Sequence, residues 1–326
     1  MTKPKVPPFL SQIEISGHKA LVDKFSRLAR EDIERLSKST DPHNKYSISV
    51  AKTYEAQKLN RYMDILPFEY NRVKLSAKRP SKTDYINASF IEAPGNAKRY
   101  IATQGTLQET IDDFWLMVWE QNSRIIVMLT KENEKGSQKC VQYWPLRKEQ
   151  PIEFSTTGLK VSLESEKLDA DTSCIERTII LTKIPTNDGI VATASQSQSR
   201  RIIHLQFIGW PDHGVPDSPD IILQLIRKTN ELQNINRDSR EGEEIIDPVV
   251  VHCSAGCGRT GTFCTIDSAL ALLPKMPDSS SDLIFNLVRH FREQRTHMVQ
   301  TLSQYQYCYL AVLHKLVSES AAASSK

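Results

Sequence analysis

The stretch Pro248-Val249-Val250-Val251-His252-Cys253-Ser254-Ala255-Gly256-Cys257-Gly258-Arg259-Thr260-Gly261 decides the fold of this chain. Its β-branched residues follow a proline, which predicts a short buried strand. After the stretch, apolar residues recur at spacings of three and four, which predicts one face of a helix; these are Phe263, Ile266, Leu270 and Leu273. The residues between them therefore form a loop that joins a strand to the N-terminus of a helix.

This loop has the features of a phosphate-binding site. Backbone N–H groups at a helix N-terminus point into one concavity, and the helix dipole favours negative charge there. Three glycines at 256, 258 and 261 permit tight backbone paths, and Arg259 offers a planar pair of donors that matches two phosphate oxygens. We therefore expect the loop backbone to bind an oxyanion through Ser254, Ala255, Gly256, Cys257 and Gly258.

Cys253 lies where the same positive field acts on sulfur, so we expect it to be a thiolate and a nucleophile. Thr260 is placed to donate a hydroxyl hydrogen bond to that sulfur, which stabilises it as thiolate and again as leaving group. A buried structural cysteine is the alternative, and it is the commoner role of cysteine. The Cys-x5-Arg spacing, the glycines and the strand–loop–helix frame together favour catalysis.

Composition excludes several other classes. The 326 residues carry 42 Lys and Arg against 39 Asp and Glu, a net charge of +3, so no overall charge favours nucleic acid or lipid. No apolar run approaches the length of a membrane span, and the N-terminus lacks the apolar core of a secretory signal. Six cysteines without CxxC pairs fit a reducing compartment. We expect a cytoplasmic protein with access to the nucleus, monomeric, with no membrane or nucleic-acid partner.

The periodic segments predict one α/β domain with a central twisted mixed β-sheet flanked by helices. We expect a flexible leader over residues 1–17, a helical segment over 18–54 packed on the domain, the catalytic domain over 55–317, and a frayed tail over 318–326. Predicted strands cover 124–130, 139–144, 159–163, 174–184 and 201–209. Predicted helices cover 106–121, 220–232, 283–294 and 303–317.

Further motifs resemble those of the tyrosine-specific protein tyrosine phosphatases, and the resemblance covers roughly residues 55 to 317. They occur in the family's order as Asn60-Arg61-Tyr62, Asp84-Tyr85-Ile86-Asn87-Ala88, Gln142-Tyr143-Trp144-Pro145, Trp210-Pro211-Asp212, the cysteine loop and Gln300-Thr301. The resemblance implies hydrolysis of phosphotyrosine in proteins through a phosphocysteine, in signal transduction, with no metal or other cofactor. The short layout is similar to small fungal cytosolic members that act on MAP kinases, so a MAP kinase is a candidate substrate. A thiolate nucleophile also predicts sensitivity to oxidation.

The resemblance implies a role for residues far from the loop. Asp212 would be the general acid, carried on a mobile loop that Trp210 anchors. Tyr62 would form the wall of a pocket too deep for phosphoserine. The remaining implied roles are substrate-backbone binding by Asp64, placement of water by Gln300 with Gln304, bracing of Arg259 by Glu134, contact with the acid loop by Lys139, and support of the nucleophile by His252.

Two alternatives remain at this point. A dual-specificity or phosphoinositide phosphatase shares Cys-x5-Arg, but its pocket is usually shallower or more basic, which Tyr62 opposes. A phosphotyrosine-binding pseudophosphatase would act as an interaction module, and the intact set of Cys253, Arg259, Asp212 and Gln300 argues against it.

Overall fold

A mixed sheet of nine strands forms the centre of the molecule in the part of the chain that the structure describes. The structure is a computed structural model that describes residues 6–76, 83–184, 186–187, 190–191, 197–211, 213–238, 247–276 and 281–324. The helices are Pro8–Ser37 (α1), Tyr54–Gln57 (α2), Ile111–Glu120 (α3), Asp220–Asp238 (α4), Gly258–Leu272 (α5), Leu283–Gln294 (α6) and Leu302–Ser324 (α7). The strands are Arg72–Lys74 (β1), Tyr85–Glu92 (β2), Arg99–Thr103 (β3), Ile125–Met128 (β4), Asn133–Glu134 (β5), Ser137–Gln138 (β6), Ile152–Phe154 (β7), Leu159–Asp169 (β8), Cys174–Lys183 (β9), Thr186–Asn187 (β10), Ile190–Val191 (β11), Gln198–Phe207 (β12) and Val249–His252 (β13).

The strand order places β13 near the middle of the sheet. The order is β1-β2-β3-β13-β4-β12-β9-β8-β7. β13 runs parallel to both of its neighbours, β3 and β4, and β12 is parallel to β4, while the outer pairs are antiparallel. The prediction of an α/β fold with a mixed sheet flanked by helices is confirmed. Cys253 directly follows the C-terminal end of this central strand.

Successive side chains of β13 point into two different hydrophobic cores, one on each face of the sheet. Val249 and Val251 belong to the core that contains apolar residues of α1, α4, α5, α6 and α7. Val250 lies in the opposite core, with Phe114 and Trp115 of α3. Since successive side chains of a strand point to opposite faces, the sheet is covered by helices on both sides. This burial holds the end of β13, and therefore Cys253, in a fixed place.

The boundaries of the terminal segments differ from the prediction. Helix α1 begins at Pro8, and Phe9 and Leu10 are buried in the main core, so residues 8–17 belong to the helix and not to a leader. A proline suits the first turn of a helix, where its missing N–H costs nothing. At the other end, α7 continues to Ser324 instead of fraying at 318. The alanines that follow residue 320 have the highest helix propensity.

One predicted strand is wrong. Residues 139–144 form no strand, although Cys140, Tyr143 and Trp144 are buried. The backbone there bonds irregularly instead, with the N–H of Val141 donating to the carbonyl of Thr106 at 2.8 Å.

None of the helices in the described part of the chain combines the length and the apolar character that a bilayer crossing requires.

Candidate active site

The loop between β13 and α5 and the first turn of α5 both pack tightly, because a glycine in each leaves no room for a side chain. Gly256 has a φ of 71°, and a Cβ added there would lie 2.1 Å from the carbonyl oxygen of Thr103. A Cβ on Gly261 would lie 2.3 Å from the backbone nitrogen of Val299. The loop is therefore pressed against the end of β3, and the first turn of α5 is pressed against the segment before α7. This packing fixes the direction of the loop amides.

The sulfur of Cys253 receives hydrogen bonds from the loop itself. The backbone N–H of Gly256 donates to Sγ at 3.3 Å, and the hydroxyl of Thr260 donates to it at 3.5 Å. Cys253 is buried, at 5% exposure, at the floor of the pocket. Cys257 is distinct from it, because burial and then the nearby Cys253 raise the pKa of the Cys257 thiol to about 12. Cys253 is therefore the cysteine of the loop that is placed for chemistry.

Arg259 is held beside the sulfur by a bidentate ion pair. Its Nη1 and Nη2 donate to the two carboxylate oxygens of Glu134 at 2.6 and 2.9 Å, and Nη1 also donates to the carbonyl of Leu129 at 3.1 Å. Burial raises the pKa of Glu134, but the hydrogen bonds and charge of Arg259, with donors from Thr130 and Lys131, outweigh it and lower the pKa. Glu134 is thus a carboxylate that fixes the plane of the guanidinium.

Tyr62 stands over the loop as one wall of a pocket of about 580 Å³. Its hydroxyl lies 2.8 Å from the Ser254 hydroxyl, which in turn donates to the carbonyl of Lys139 at 3.1 Å. The preceding Arg61 anchors this segment, since its guanidinium donates to the carbonyls of Gly105 and Thr106 at 3.1 and 2.6 Å. The pocket is also lined by Asp64, Lys139, Ala255, Gly258, Gln300 and Gln304.

Gln304 fixes the backbone of Gln300 from below. Its side-chain oxygen accepts from the N–H groups of Gln300 and Thr301 at 2.9 and 3.2 Å. The segment before Gln300 is held in the same way, because Arg292 donates to the carbonyls of Met298 and Val299 at 3.0 and 2.7 Å. The side chain of Gln300 is left facing the pocket. It is therefore available to a water or a substrate.

The loop that would carry the acid lies at the pocket mouth. Asp212 lies outside the described residues, but both of its neighbours are described. The carbonyl of Pro211 accepts from Nη2 of Arg259 at 3.3 Å, and His213 lines the pocket, where its ring contacts the ammonium of Lys135. The buried indole of Trp210 donates to the carbonyl of Gly214 at 3.1 Å, closing a tight turn around the loop.

The sequence reasoning missed Arg295. This residue is fully buried under the loop, where it donates to the carbonyls of Gly256 and Ala255 at 2.8 and 3.0 Å and to the side chain of Asn87 at 2.7 Å. Burial lowers its pKa, yet an arginine stays charged in proteins. By binding the carbonyls it keeps the loop N–H groups turned towards the pocket. The sequence feature that could have identified it is its position between the amphipathic helix α6 and Gln300.

His252, just before Cys253, is buried and neutral. Burial lowers its pKa to about 4. Its Nδ1 lies 3.2 Å from the carbonyl of Cys253, and its Nε2 lies 2.8 Å from the hydroxyl of Tyr143. A neutral imidazole can donate through one nitrogen and accept through the other.

The fold and the site together define a class of protein. The central strand of the sheet leads directly to a cysteine in a tight loop, and an arginine held by a carboxylate lines the same pocket. This is the architecture of a cysteine-based phosphatase. The protein-tyrosine phosphatase family model matches residues 56–314, and the chain belongs to this family.

Several curated proteins are similar to the chain over most of its length. It is 41% identical to human tyrosine-protein phosphatase non-receptor type 12 over 283 residues, which are 86% of the chain and 33% of that protein. It is 38% identical to human tyrosine-protein phosphatase non-receptor type 9 over 82% of the chain and 43% of that protein. It is 35% identical to human receptor-type tyrosine-protein phosphatase C over 92% of the chain and 21% of that protein. The chain thus spans less than half the length of these relatives. The likeness to small fungal members stays a prediction.

Proposed function

We propose that this chain hydrolyses phosphotyrosine in proteins through a phosphocysteine intermediate. The observation that carries the proposal is the thiol of Cys253 at the floor of a pocket, with Arg259 beside it and Tyr62 as a wall. A phosphorylated phenol is long enough to bring its phosphorus to such a floor, and its ring can stack on Tyr62. Phosphoserine is shorter, so the depth of the pocket favours tyrosine.

The first step forms a bond from sulfur to phosphorus and breaks the bond from phosphorus to the tyrosine oxygen. The Cys253 thiolate attacks in line while Arg259 and the loop N–H groups hold the three equatorial oxygens. Asp212 gives its proton to the departing tyrosine oxygen, so tyrosine leaves as a neutral phenol. Trp210 and Pro211 hold the chain beside Arg259, which supports this role for the next residue.

The second step hydrolyses the phosphocysteine. Asp212, now a carboxylate, takes a proton from a water that the Gln300 side chain orients, and the water oxygen bonds to phosphorus. Sulfur leaves as a thiolate, which the hydroxyl of Thr260 and the N–H of Gly256 stabilise. Gln304 contributes by holding the backbone of Gln300 in place.

A pair of peptides tests the proposal against its alternatives. Peptides identical except for phosphotyrosine or phosphoserine should differ strongly in kcat/KM, with turnover of the tyrosine form alone. Comparable rates on both would favour a dual-specificity enzyme, and no turnover of any aryl phosphate would favour a pseudophosphatase. The Cys253→Ser variant should lose turnover and keep phosphopeptide binding. Normal turnover by this variant would contradict the mechanism.

We propose a role in signalling, with a MAP kinase as candidate substrate, for a monomeric cytoplasmic protein whose thiolate is reversibly inactivated by oxidation. The Asp212→Ala variant should bind substrate but turn it over slowly, because the departing tyrosine oxygen lacks a proton donor, and it should therefore trap phosphoproteins for identification. Capture of phosphotyrosine proteins without any MAP kinase would contradict that choice. Failure of thiol reductants to restore activity after mild peroxide treatment would contradict the redox proposal.

A further inference from the structure

A chain of buried polar side chains runs from Arg177 to the backbone of the nucleophile. Nη1 of Arg177 lies 3.2 Å from Nδ1 of His204, and Nε2 of His204 lies 2.8 Å from the hydroxyl of Tyr143. The same hydroxyl lies 2.8 Å from Nε2 of His252, whose Nδ1 lies 3.2 Å from the carbonyl oxygen of Cys253. All four side chains are at most 4% exposed. Water therefore has little access to these hydrogen bonds.

Strand register creates this arrangement. Arg177 of β9 and His204 of β12 are direct partners across an antiparallel pair, so their side chains share one face of the sheet. His252 lies on β13, separated from β12 by β4. Tyr143 spans that gap from the face above, with its ring centroid 5.4 Å from that of His204 and 5.5 Å from that of His252.

The arginine end of the chain determines which atom carries each proton. Arginine has donors and no acceptor, so Nδ1 of His204 must offer its lone pair. A neutral imidazole has one N–H, and His204 therefore carries it on Nε2 and donates to the oxygen of Tyr143. The hydroxyl proton of Tyr143 is then directed to Nε2 of His252 at 2.8 Å, because the other neighbouring acceptor, the sulfur of Met128 at 4.0 Å, is weak. His252 in turn carries its proton on Nδ1 and donates to the carbonyl of Cys253.

The cysteine end requires the same order independently. A carbonyl oxygen can only accept, so the Nδ1 that faces it must carry the proton. Nε2 of His252 must then accept from Tyr143, whose oxygen must accept from His204. Both ends thus impose one direction of donation, with no conflict at any link. Burial keeps both histidines neutral, with one ring proton each, because it lowers the pKa of His252 to about 4 and that of His204 well below its ordinary value. Burial also raises the pKa of Tyr143, which therefore keeps its hydroxyl proton.

We propose that Arg177 is a positioning residue for Cys253, acting through a hydrogen-bond chain of fixed proton order that keeps an N–H of His252 on the Cys253 carbonyl. The proposal rests on the proposed role of Cys253 as nucleophile. Each bond polarises the next, so the positive guanidinium strengthens the donation that reaches the loop. This favours negative charge on the sulfur of the same residue.

Removing Arg177 should allow the direction of donation along these hydrogen bonds to reverse. Without that donor, His204 can carry its proton on Nδ1 and accept from Tyr143 through Nε2. Tyr143 would then accept from His252, and the lone pair of Nδ1 would face the Cys253 carbonyl in place of an N–H. The loop loses one donor, and the thiolate loses stabilisation.

The proton order can be measured on the unmodified full chain by two-dimensional ¹⁵N NMR of the histidine rings at pH 7. We expect His204 protonated on Nε2 and His252 protonated on Nδ1. The opposite assignment at either ring would overturn the proposal. This measurement needs no variant, so it does not depend on whether a substituted chain folds.

The variant Arg177→Met then tests the link to the nucleophile. Because only the Cys253 carbonyl then imposes the proton order, we expect a second tautomer of His252, protonated on Nε2, to appear beside the first. Alkylation of Cys253 by iodoacetamide at pH 6 should slow, by at most about fivefold, the effect of one ordinary hydrogen bond. The control Glu166→Gln removes the outer partner of Arg177, a carboxylate 2.6 Å from its Nε and 47% exposed, and should leave both readouts unchanged. An unchanged His252 ring in Arg177→Met would overturn the proposal even where aryl phosphate is hydrolysed. Absence of that hydrolysis in the unmodified chain would instead contradict the proposed function.

Discussion

The brace between Glu134 and Arg259 allows a quantitative prediction for the variant Glu134→Gln. The two hydrogen bonds of 2.6 and 2.9 Å join side chains that are only 6% and 15% exposed, so solvent screens them little. Glutamine keeps one acceptor but turns an amide N–H₂ towards the second guanidinium nitrogen. One charge-assisted bond is lost, which costs about 2 kcal/mol. If that bond positions Arg259 for the transferred phosphoryl group, kcat/KM should fall roughly 30-fold.

Steady-state kinetics on an aryl phosphate measure this effect, and competitive inhibition by inorganic phosphate measures the oxyanion site separately. Both kcat/KM and phosphate affinity should fall, with the melting temperature monitored to exclude unfolding. The control Glu153→Gln changes a carboxylate that is 62% exposed and pairs with Lys160 at 2.8 Å, and it should leave both quantities unchanged. A Glu134→Gln enzyme within threefold of the unmodified kcat/KM would refute the reasoning.

Three other predictions concern stability, the loop and metal ions. Lowering the pH from 7 to 5 should reduce the free energy of unfolding, because His252 and His204 stay neutral when folded and take up protons when unfolded. With a folded pKa of about 4 against an ordinary 6.5, His252 alone accounts for about 2 kcal/mol at pH 5; urea titrations at both pH values measure it, and equal stability would contradict it. Gly256→Ala should abolish most activity and lower the melting temperature, since its Cβ would lie 2.1 Å from the Thr103 oxygen at a φ of 71°; an unchanged melting curve would argue against this packing. Activity should persist in excess chelator because the thiolate and Arg259 supply the chemistry, and a loss that Zn²⁺ or Mg²⁺ reverses would contradict that.

Local patterns predicted the parts of the fold in which neighbours in sequence are also neighbours in space. The strand before Cys253 and the helix after it are observed at Val249–His252 and Gly258–Leu272, and the predicted helix over 283–294 has those bounds. Segment 139–144 was predicted as a strand. Its backbone bonds to Thr106 and Glu132 instead, and contacts between distant segments leave no trace in a local pattern.

The same distinction explains what was missed at the site. Arg295 lies 42 positions after Cys253 in the sequence, and a charged residue in a polar stretch usually indicates a surface. Its burial depends on Asn87, Ala255 and Gly256, which approach from two other parts of the chain. The link from Arg177 to His252 is equally invisible, because it requires the register of β9 against β12.

The central place of β13 has a consequence for how the site moves. Val250 and Val251 are bonded within a sheet that is parallel on both sides and covered by two cores, so their amides should exchange hydrogen only through global unfolding. Trp210, His213 and Gly214 lie beyond the end of β12, outside that ladder, and local opening should expose their amides at a small fraction of the same free energy. The free energy of local opening should therefore be high at the end of β13, on one side of the pocket, and low at the residues beyond β12, on the other side. Hydrogen exchange should therefore be fast at the amides of Trp210, His213 and Gly214 and slow at those of Val250 and Val251.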